Sequence, residues 1–379
     1  MAYEPIPGDI MFQSLKDGNS IILANNARIT AGVAKGIFRA AKDMDCAVIF
    51  EIARSESNLD RGYSGLTPAD YAARVKEAAE EVEHDMWVLH ADHITVKKGD
   101  ADDIKATKEL IDAQIAAGFT SFAIDASHLF NFEGGDLREE LSMNIDATTE
   151  LAKHIEKKMG TKSFGLEVEV GEIGRESKEG KKVVTTPDEA VTFIKALKEN
   201  DIHPDVLAIA NGTTHGNIYD AAGNLIEQVD IDLEQTRNIA KALKENNLDV
   251  RIAQHGITGT PRELINTMFP KGDILKGNVA TFWQNLFLDT VKVYHPELYK
   301  EIWDWTMDNY KEKNPGKKEN EIFGKNVKNA LKPFFDKIYG LPQETIDTVE
   351  ALTYGEARVF FKSFNSAGTA ETVRKALKK

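Results

Sequence analysis

Three histidines carry the strongest chemical signal in this sequence. His93, His215 and His255 each close a short apolar run, in the segments His90-Ala91-Asp92-His93, Gly212-Thr213-Thr214-His215-Gly216 and Gln254-His255-Gly256. If those runs are parallel strands of one sheet, the imidazoles converge, and three imidazoles with an open fourth position make the donor set of a catalytic zinc site. Acidic groups gather at the same ends: Asp92 beside His93, Asp125 in Asp125-Ala126-Ser127-His128, and Glu167 and Glu169 alternating along a fifth run. Of the nine histidines, His84, His154, His203 and His295 are scattered through loops and helical stretches, as chance would place them. One strand-end histidine alone reads as a satisfied polar residue. Three at matched positions beside carboxylates read as a ligand set, because function is argued from the site and not from the fold.

Glycine spacing adds a second signal. Gly212, Gly216, Gly256 and Gly259 follow the sixth and seventh runs, and Asn278 and Thr281 follow the eighth. Glycine lets backbone N–H groups approach an anion closely, and Thr258 and Thr281 add hydroxyl donors. Alone, such glycines mean tight turns; beside the candidate ligands they suggest a phosphate loop.

These residues need elements that carry them to one place. Strands are expected at Ser20–Ala24, Cys46–Ile52, Met86–His90, Thr120–Asp125, Ser163–Val170, Val206–Ala210, Val250–Gln254 and Ile274–Val279. Amphipathic helical patterns lie between them, near 30–43, 67–83, 102–117, 137–159, 187–199, 232–245, 261–269 and 281–294. Thr67-Pro68 and Thr186-Pro187 each pair a cap residue with proline at the first helical position. Strand–helix alternation implies βαβ units and a parallel sheet, and eight such units match an α/β fold of the (β/α)8 TIM-barrel type. A doubly wound open sheet is the rival that periodicity alone does not exclude. The expected organisation is a catalytic barrel over 1–295 and a helical C-terminal extension over 296–379, rich in aromatic residues and packed on the barrel or on a partner subunit. The polar stretch Gly171–Thr186 is too long for a simple βα turn and is read as a functional lid or a disordered segment.

Composition narrows the function class. A net charge of -14 argues against nucleic acid, whose phosphate backbone needs a basic surface, but a small phosphorylated substrate needs only a few local donors. The single cysteine, Cys46, excludes an intrachain disulfide framework and fits a reducing compartment. With no basic-then-apolar leader in MAYEPIPGDIMFQ and no apolar run long enough for a membrane span, a cytoplasmic location is expected.

The strand ends, taken in order, resemble the class II fructose-bisphosphate aldolase family. The matching motifs are HADH (90–93), AIDASH (123–128), LEVEVGEIG (166–174), TTPDEA (185–190), GTTHG (212–216), HGITG (255–259) and NVAT (278–281). The resemblance implies a zinc-dependent aldolase acting on a sugar bisphosphate, working as a homodimer or homotetramer, with His93, His215 and His255 as zinc ligands. It implies Glu169, with Asp125 close by, at an alternative and more buried metal position, and Asp92 as the proton donor and acceptor at the C4 hydroxyl. Gly216, Gly256, Thr258, Gly259, Asn278 and Thr281 would hold a phosphate, with a monovalent cation near it. Glu176 is the expected second acid/base, with Glu172 and Glu179 competing; Asn25 or Asn26 would touch substrate. Departures are Ile257, Thr258 for the family serine, Ala53 for another serine with Ser55 near it, and Ala280 where many fructose-bisphosphate enzymes have Asp. NVAT and IDASH are more like the tagatose-bisphosphate branch. Two other classes stay open: a metal-dependent hydrolase, which would commonly place paired histidines where this chain has Asn25 and Asn26, and a non-catalytic barrel.

Overall fold

The structure is a computed structural model and describes residues 3–131, 133–171, 184–214, 216–229 and 231–378. Its parallel strands are β1 (Ile22–Asn26), β2 (Val48–Ala53), β3 (Trp87–Thr95), β4 (Ser121–Asp125), β5 (Gly165–Glu169), β6 (Val206–Ala208), β9 (Arg251–Gln254) and β10 (Ile274–Val279). Each pairs with its neighbours in chain order, β6 pairs with β9, and β10 pairs back onto β1, which closes the sheet into a barrel. Between β6 and β9 the chain makes a small antiparallel hairpin, β7 (Ile218–Tyr219) with β8 (Leu225–Ile226). The (β/α)8 architecture is therefore observed, and the open-sheet alternative falls.

The helices after the strands are α2 (Val33–Asp43), α3 (Pro68–Val82), α4 (Ala101–Ala116), α5 (Leu137–Met159), α6 (Pro187–Glu199), α7 (Leu233–Glu245), α8 (Arg262–Met268) and α9 (Thr281–Tyr294). Two begin as their sequences require. Thr67 and Thr186 accept hydrogen bonds from the backbone N–H groups of Asp70 and Glu189, whose carboxylates bond back to the cap N–H groups.

An element without a counterpart in the strand–helix pattern is α1 (Gly8–Leu15), which closes the amino-terminal end of the barrel. Met11 and Phe12 are fully buried there with Ile22, Ile49, Val88 and Leu275 from the strands. A Cβ on Gly8 would lie 2.7 Å from Ser121 Cβ, so only glycine lets α1 enter so closely. With that end sealed, only the carboxyl ends of the strands remain for chemistry.

The C-terminal extension forms α10 (Pro296–Tyr310), α11 (Glu319–Asn326), α12 (Phe335–Tyr339), α13 (Gln343–Ser363) and α14 (Thr369–Leu377). It shares the barrel's apolar core: α13 packs on α2 and α9, and Phe360, Phe361 and Phe364 are buried in one cluster with Trp283 and Phe287. Gly36 lets α2 meet α13 at short range, since a Cβ there would sit 2.6 Å from the Glu350 carbonyl oxygen. Among the described residues, no helix is long and apolar enough to cross a membrane.

Candidate active site

The strand ends open into a cavity of about 390 Å3. Asn26, Ala53, Asp92, His93, Asp125, Glu169 and Asn278 reach it from the strands, and Gly216, His255, Gly256, Thr258 and Thr281 from the turns that follow. His215 and Glu176, with Glu172 and Glu179, lie outside the described residues.

The key local feature is in β3. Its expected end at His90 is wrong by several residues, because the strand continues to Thr95 through an irregularity against β4 between Ala91 and Ile94. His93 adopts a left-handed φ of 38°. In a regular strand consecutive side chains point to opposite faces, whereas a bulge re-aims one of them. Here Asp92 and His93, adjacent in sequence, both line the cavity.

Two overlapping donor groups share His93. Ligand atoms of Asp92, His93 and His255 lie within 4.8 Å of one another, and so do those of His93, Asp125 and Glu169. His93 Nδ1 is 3.1 Å from Glu169 and 3.5 Å from Asp125, and the His93 and His255 rings are 4.6 Å apart. The cluster attracts positive charge. Burial opposes a charged His93, yet Asp92 and Glu169 hold its imidazole well above the ordinary value. Burial and the neighbouring Asp125 push Glu169 up to about 8. Burial opposes ionisation of Asp125 as well, but His93 and Ser127 keep its carboxyl low. A divalent cation bound by imidazole and carboxylate would displace these protons, so the donor set fits a zinc-type ion in chemistry and spacing.

Beside the cluster the backbone is shaped for an anion. Gly216 and Gly256 have φ of 84° and 67°, whereas Gly259, with φ of 85°, lines the neighbouring groove and not the cavity. A Cβ on Gly256 would fall 2.8 Å from the Thr214 carbonyl oxygen. Helix α9 starts at Thr281, its N-cap Ala280 offers no side-chain acceptor, and the Phe282 N–H donates to Thr258 Oγ1 at 3.2 Å. A helix amino terminus with hydroxyls beside it suits an anion. Asn278 Nδ2 meanwhile lies 3.3 Å from Asp92 Oδ1, inside the cavity wall.

Several residues here escaped the sequence reading. Arg28 pairs with Glu56 at 3.1 Å, and Glu56 also accepts from Tyr63 at 2.6 Å. Lys325 and Lys328 come from α11 and the turn after it, and both line the cavity. Burial, reinforced by Arg28, lowers Lys328. Gly324 admits this segment, because the Tyr219 hydroxyl of the hairpin occupies the space a side chain would take. Of the two asparagines, Asn26 faces the cavity, while Asn25 Nδ2 donates to the Leu23 and Ile49 carbonyl oxygens. His90, at the expected end of the third strand, is fully buried away from the cavity, with Nδ1 2.7 Å from Ser121 Oγ.

Comparison with known proteins supplies an independent line. The family model for fructose-bisphosphate aldolase class-II matches residues 9–339. A fructose-bisphosphate aldolase of Helicobacter pylori is 26% identical over 279 residues, covering 70% of this chain and 76% of that protein. Among solved structures, the fructose-bisphosphate aldolase of Campylobacter jejuni superposes with a TM-score of 0.61 at 18% identity, covering 97% of both chains. The YdjI aldolase of Escherichia coli K12 superposes with a TM-score of 0.58 at 18% identity, covering 96% of this chain and 100% of the other. The structural likenesses speak for the fold alone.

Proposed function

The chain belongs to the class II fructose-bisphosphate aldolase family, and we propose that it is a cytoplasmic, zinc-dependent aldolase of the hexose–triose step of glycolysis and gluconeogenesis. Its substrate in this reading is fructose 1,6-bisphosphate, cleaved reversibly to dihydroxyacetone phosphate and glyceraldehyde 3-phosphate. One observation carries the reading: the Asp92–His93–His255 donor group shares a cavity with the anion-shaped turns at Gly256, Thr258 and Thr281.

His93 and His255, with His215, would hold the metal, and Glu169 with Asp125 would offer the second position. Bound there, zinc supplies a Lewis acid that polarises the ketose carbonyl and stabilises developing negative charge. The protein's own groups do the rest. Backbone N–H groups at Gly216 and Gly256, with Thr258, Asn278 and Thr281, seat one phosphate. Asp92 takes the C4 hydroxyl proton as the C3–C4 bond breaks, its electron pair staying on C3. Burial opposes that carboxylate, but positive charge at His93, which a bound cation would take over, and Lys276 keep it ionised and ready to accept. Glu176 would return a proton to C3.

Arg28, Lys325 and Lys328 would meet the second phosphate, at the aldehyde end. A charge-assisted hydrogen bond contributes about 1.5–3 kcal/mol, so Lys328→Ala should lower kcat/KM for the bisphosphate by about 10-fold or more. A change under twofold in steady-state kinetics would remove Lys328 from the site.

The deciding assay is cleavage of fructose 1,6-bisphosphate before and after EDTA, with zinc added back. Activity abolished by EDTA and restored by zinc is expected; activity surviving prolonged chelation would sink the metal reading. Tagatose 1,6-bisphosphate is the second reading, favoured by Ala280 at the cavity wall, and faster turnover of tagatose bisphosphate in the same assay would adopt it.

The exposed apolar side chains Leu225, Ile226, Val293, Tyr294, Leu352 and Val359 line one groove, which meets the cavity at Asn217 and Thr258. Contiguous exposed apolar surface marks an interaction face, and we assign it to a second copy of the chain in a homodimer or homotetramer. Light scattering should give a multiple of 42.1 kDa and a smaller mass for Leu352→Glu. A monomeric wild type would rule this out.

A further inference from the structure

Beneath the cavity lies a buried layer of charge whose one part in the reaction scheme is the contact of Lys276 with Asp92. Lys276, in the middle of β10, is fully buried, and its Nζ lies 2.7 Å from Glu167, 2.9 Å from Glu51 and 3.7 Å from Asp92. Glu167 turns its other oxygen toward His255, with Oε1 3.0 Å from Nε2. The same carboxylate stands 3.4 Å from His90 Nε2. Neither Lys276 nor Glu167 lines the cavity.

We propose that Glu167 is a positioning residue for the metal site: clamped by Lys276, its carboxylate fixes the rotation and tautomer of His255. The inference rests on the zinc reading above. A carboxylate can only accept, so the proton in the Glu167–His255 contact sits on Nε2 and the ring's lone pair is on Nδ1. A ring turned over by half a revolution would lose that hydrogen bond inside a dry layer, where an unmade bond is costly. Metal-ligating histidines commonly gain their orientation from such an outer carboxylate, and its removal weakens metal binding by about 10–100-fold. Glu167 is not itself a ligand, since its two oxygens are engaged by His255 and Lys276.

The rival explanation is that Glu167 only balances the charge of Lys276. Glu51 flanks the same ammonium at 2.9 Å, so a variant at each carboxylate separates the explanations. Zinc affinity, measured by chelator competition, and the visible spectrum of the cobalt(II) form should be compared for wild type, Glu167→Gln and Glu51→Gln. Expected are about 10–100-fold weaker zinc binding and an altered cobalt spectrum for Glu167→Gln, with Glu51→Gln within about threefold of wild type on the same scale. Equal weakening by both, or no weakening by Glu167→Gln, overturns the proposal. If Glu167→Gln does not fold, Glu167→Asp is read the same way, since it keeps the charge beside Lys276 while withdrawing the oxygen from His255. A wild-type chain that binds no zinc would instead overturn the metal reading and this inference with it.

Discussion

Asp92→Asn should lower kcat for fructose 1,6-bisphosphate cleavage by about 10²–10⁴-fold, the usual contribution of a positioned general base. The substitution is nearly isosteric, and it leaves the Asn278 contact and the bulge of β3 in place. Its effect should be confined to one half of the chemistry. Removing the C4 proton concerns the aldehyde fragment, whereas hydrogen exchange at C3 of dihydroxyacetone phosphate needs no base at C4. Isotope exchange into dihydroxyacetone phosphate should therefore persist in the variant while cleavage collapses. If exchange and cleavage fell together, Asp92 would belong to the metal or phosphate machinery and the base would have to be sought elsewhere.

Lys276→Met should be among the most destabilising single changes in the molecule. Breaking a buried ion pair by removing one partner costs about 3–5 kcal/mol, and here one ammonium serves Glu51, Glu167 and Asp92. Even with the lysine present, burial and Asp92 push Glu51 up to about 8. Without it the remaining carboxylates would titrate higher still. A carboxyl whose folded value is raised binds its proton more tightly in the folded chain, so its contribution to stability falls as pH rises and recovers as pH drops. Urea unfolding should show the loss at pH 8 and a smaller one near pH 5. Exposed pairs such as Lys300–Asp304 should change stability by under about 1 kcal/mol when broken. A loss of under about 1 kcal/mol for Lys276→Met at pH 8 would mean that the layer relaxes or admits water.

Much of the architecture was legible because its signals are local. The Thr-Pro caps of α3 and α6 and the alternation of apolar runs depend on residues a few positions apart. The convergence of His93, His255, Asp92, Asp125 and Glu169 follows once strands in order become neighbours in space, and the structure brings these five together. Features that depend on distant partners were not legible. Lys325 and Lys328 reach the cavity through α11, some 300 residues after Arg28 on the same wall. The charged layer did leave a trace, in a lysine inside ILKGNV and a glutamate inside VIFEIA, but nothing in those strings says that the two meet. The length of β3 was misjudged because a bulge is a property of two strands, and only pairing with β4 reveals it.

That bulge has a mechanical consequence. Metal ligands drawn from different strands keep their spacing only as well as the barrel keeps its shape, so any breathing of the sheet moves them relative to one another. Asp92 and His93 are joined by a single peptide unit, whose Cα atoms stay about 3.8 Å apart whatever the sheet does. The group assigned to the proton and the histidine shared by both donor groups therefore ride together through thermal motion, their backbone spacing held by covalent geometry.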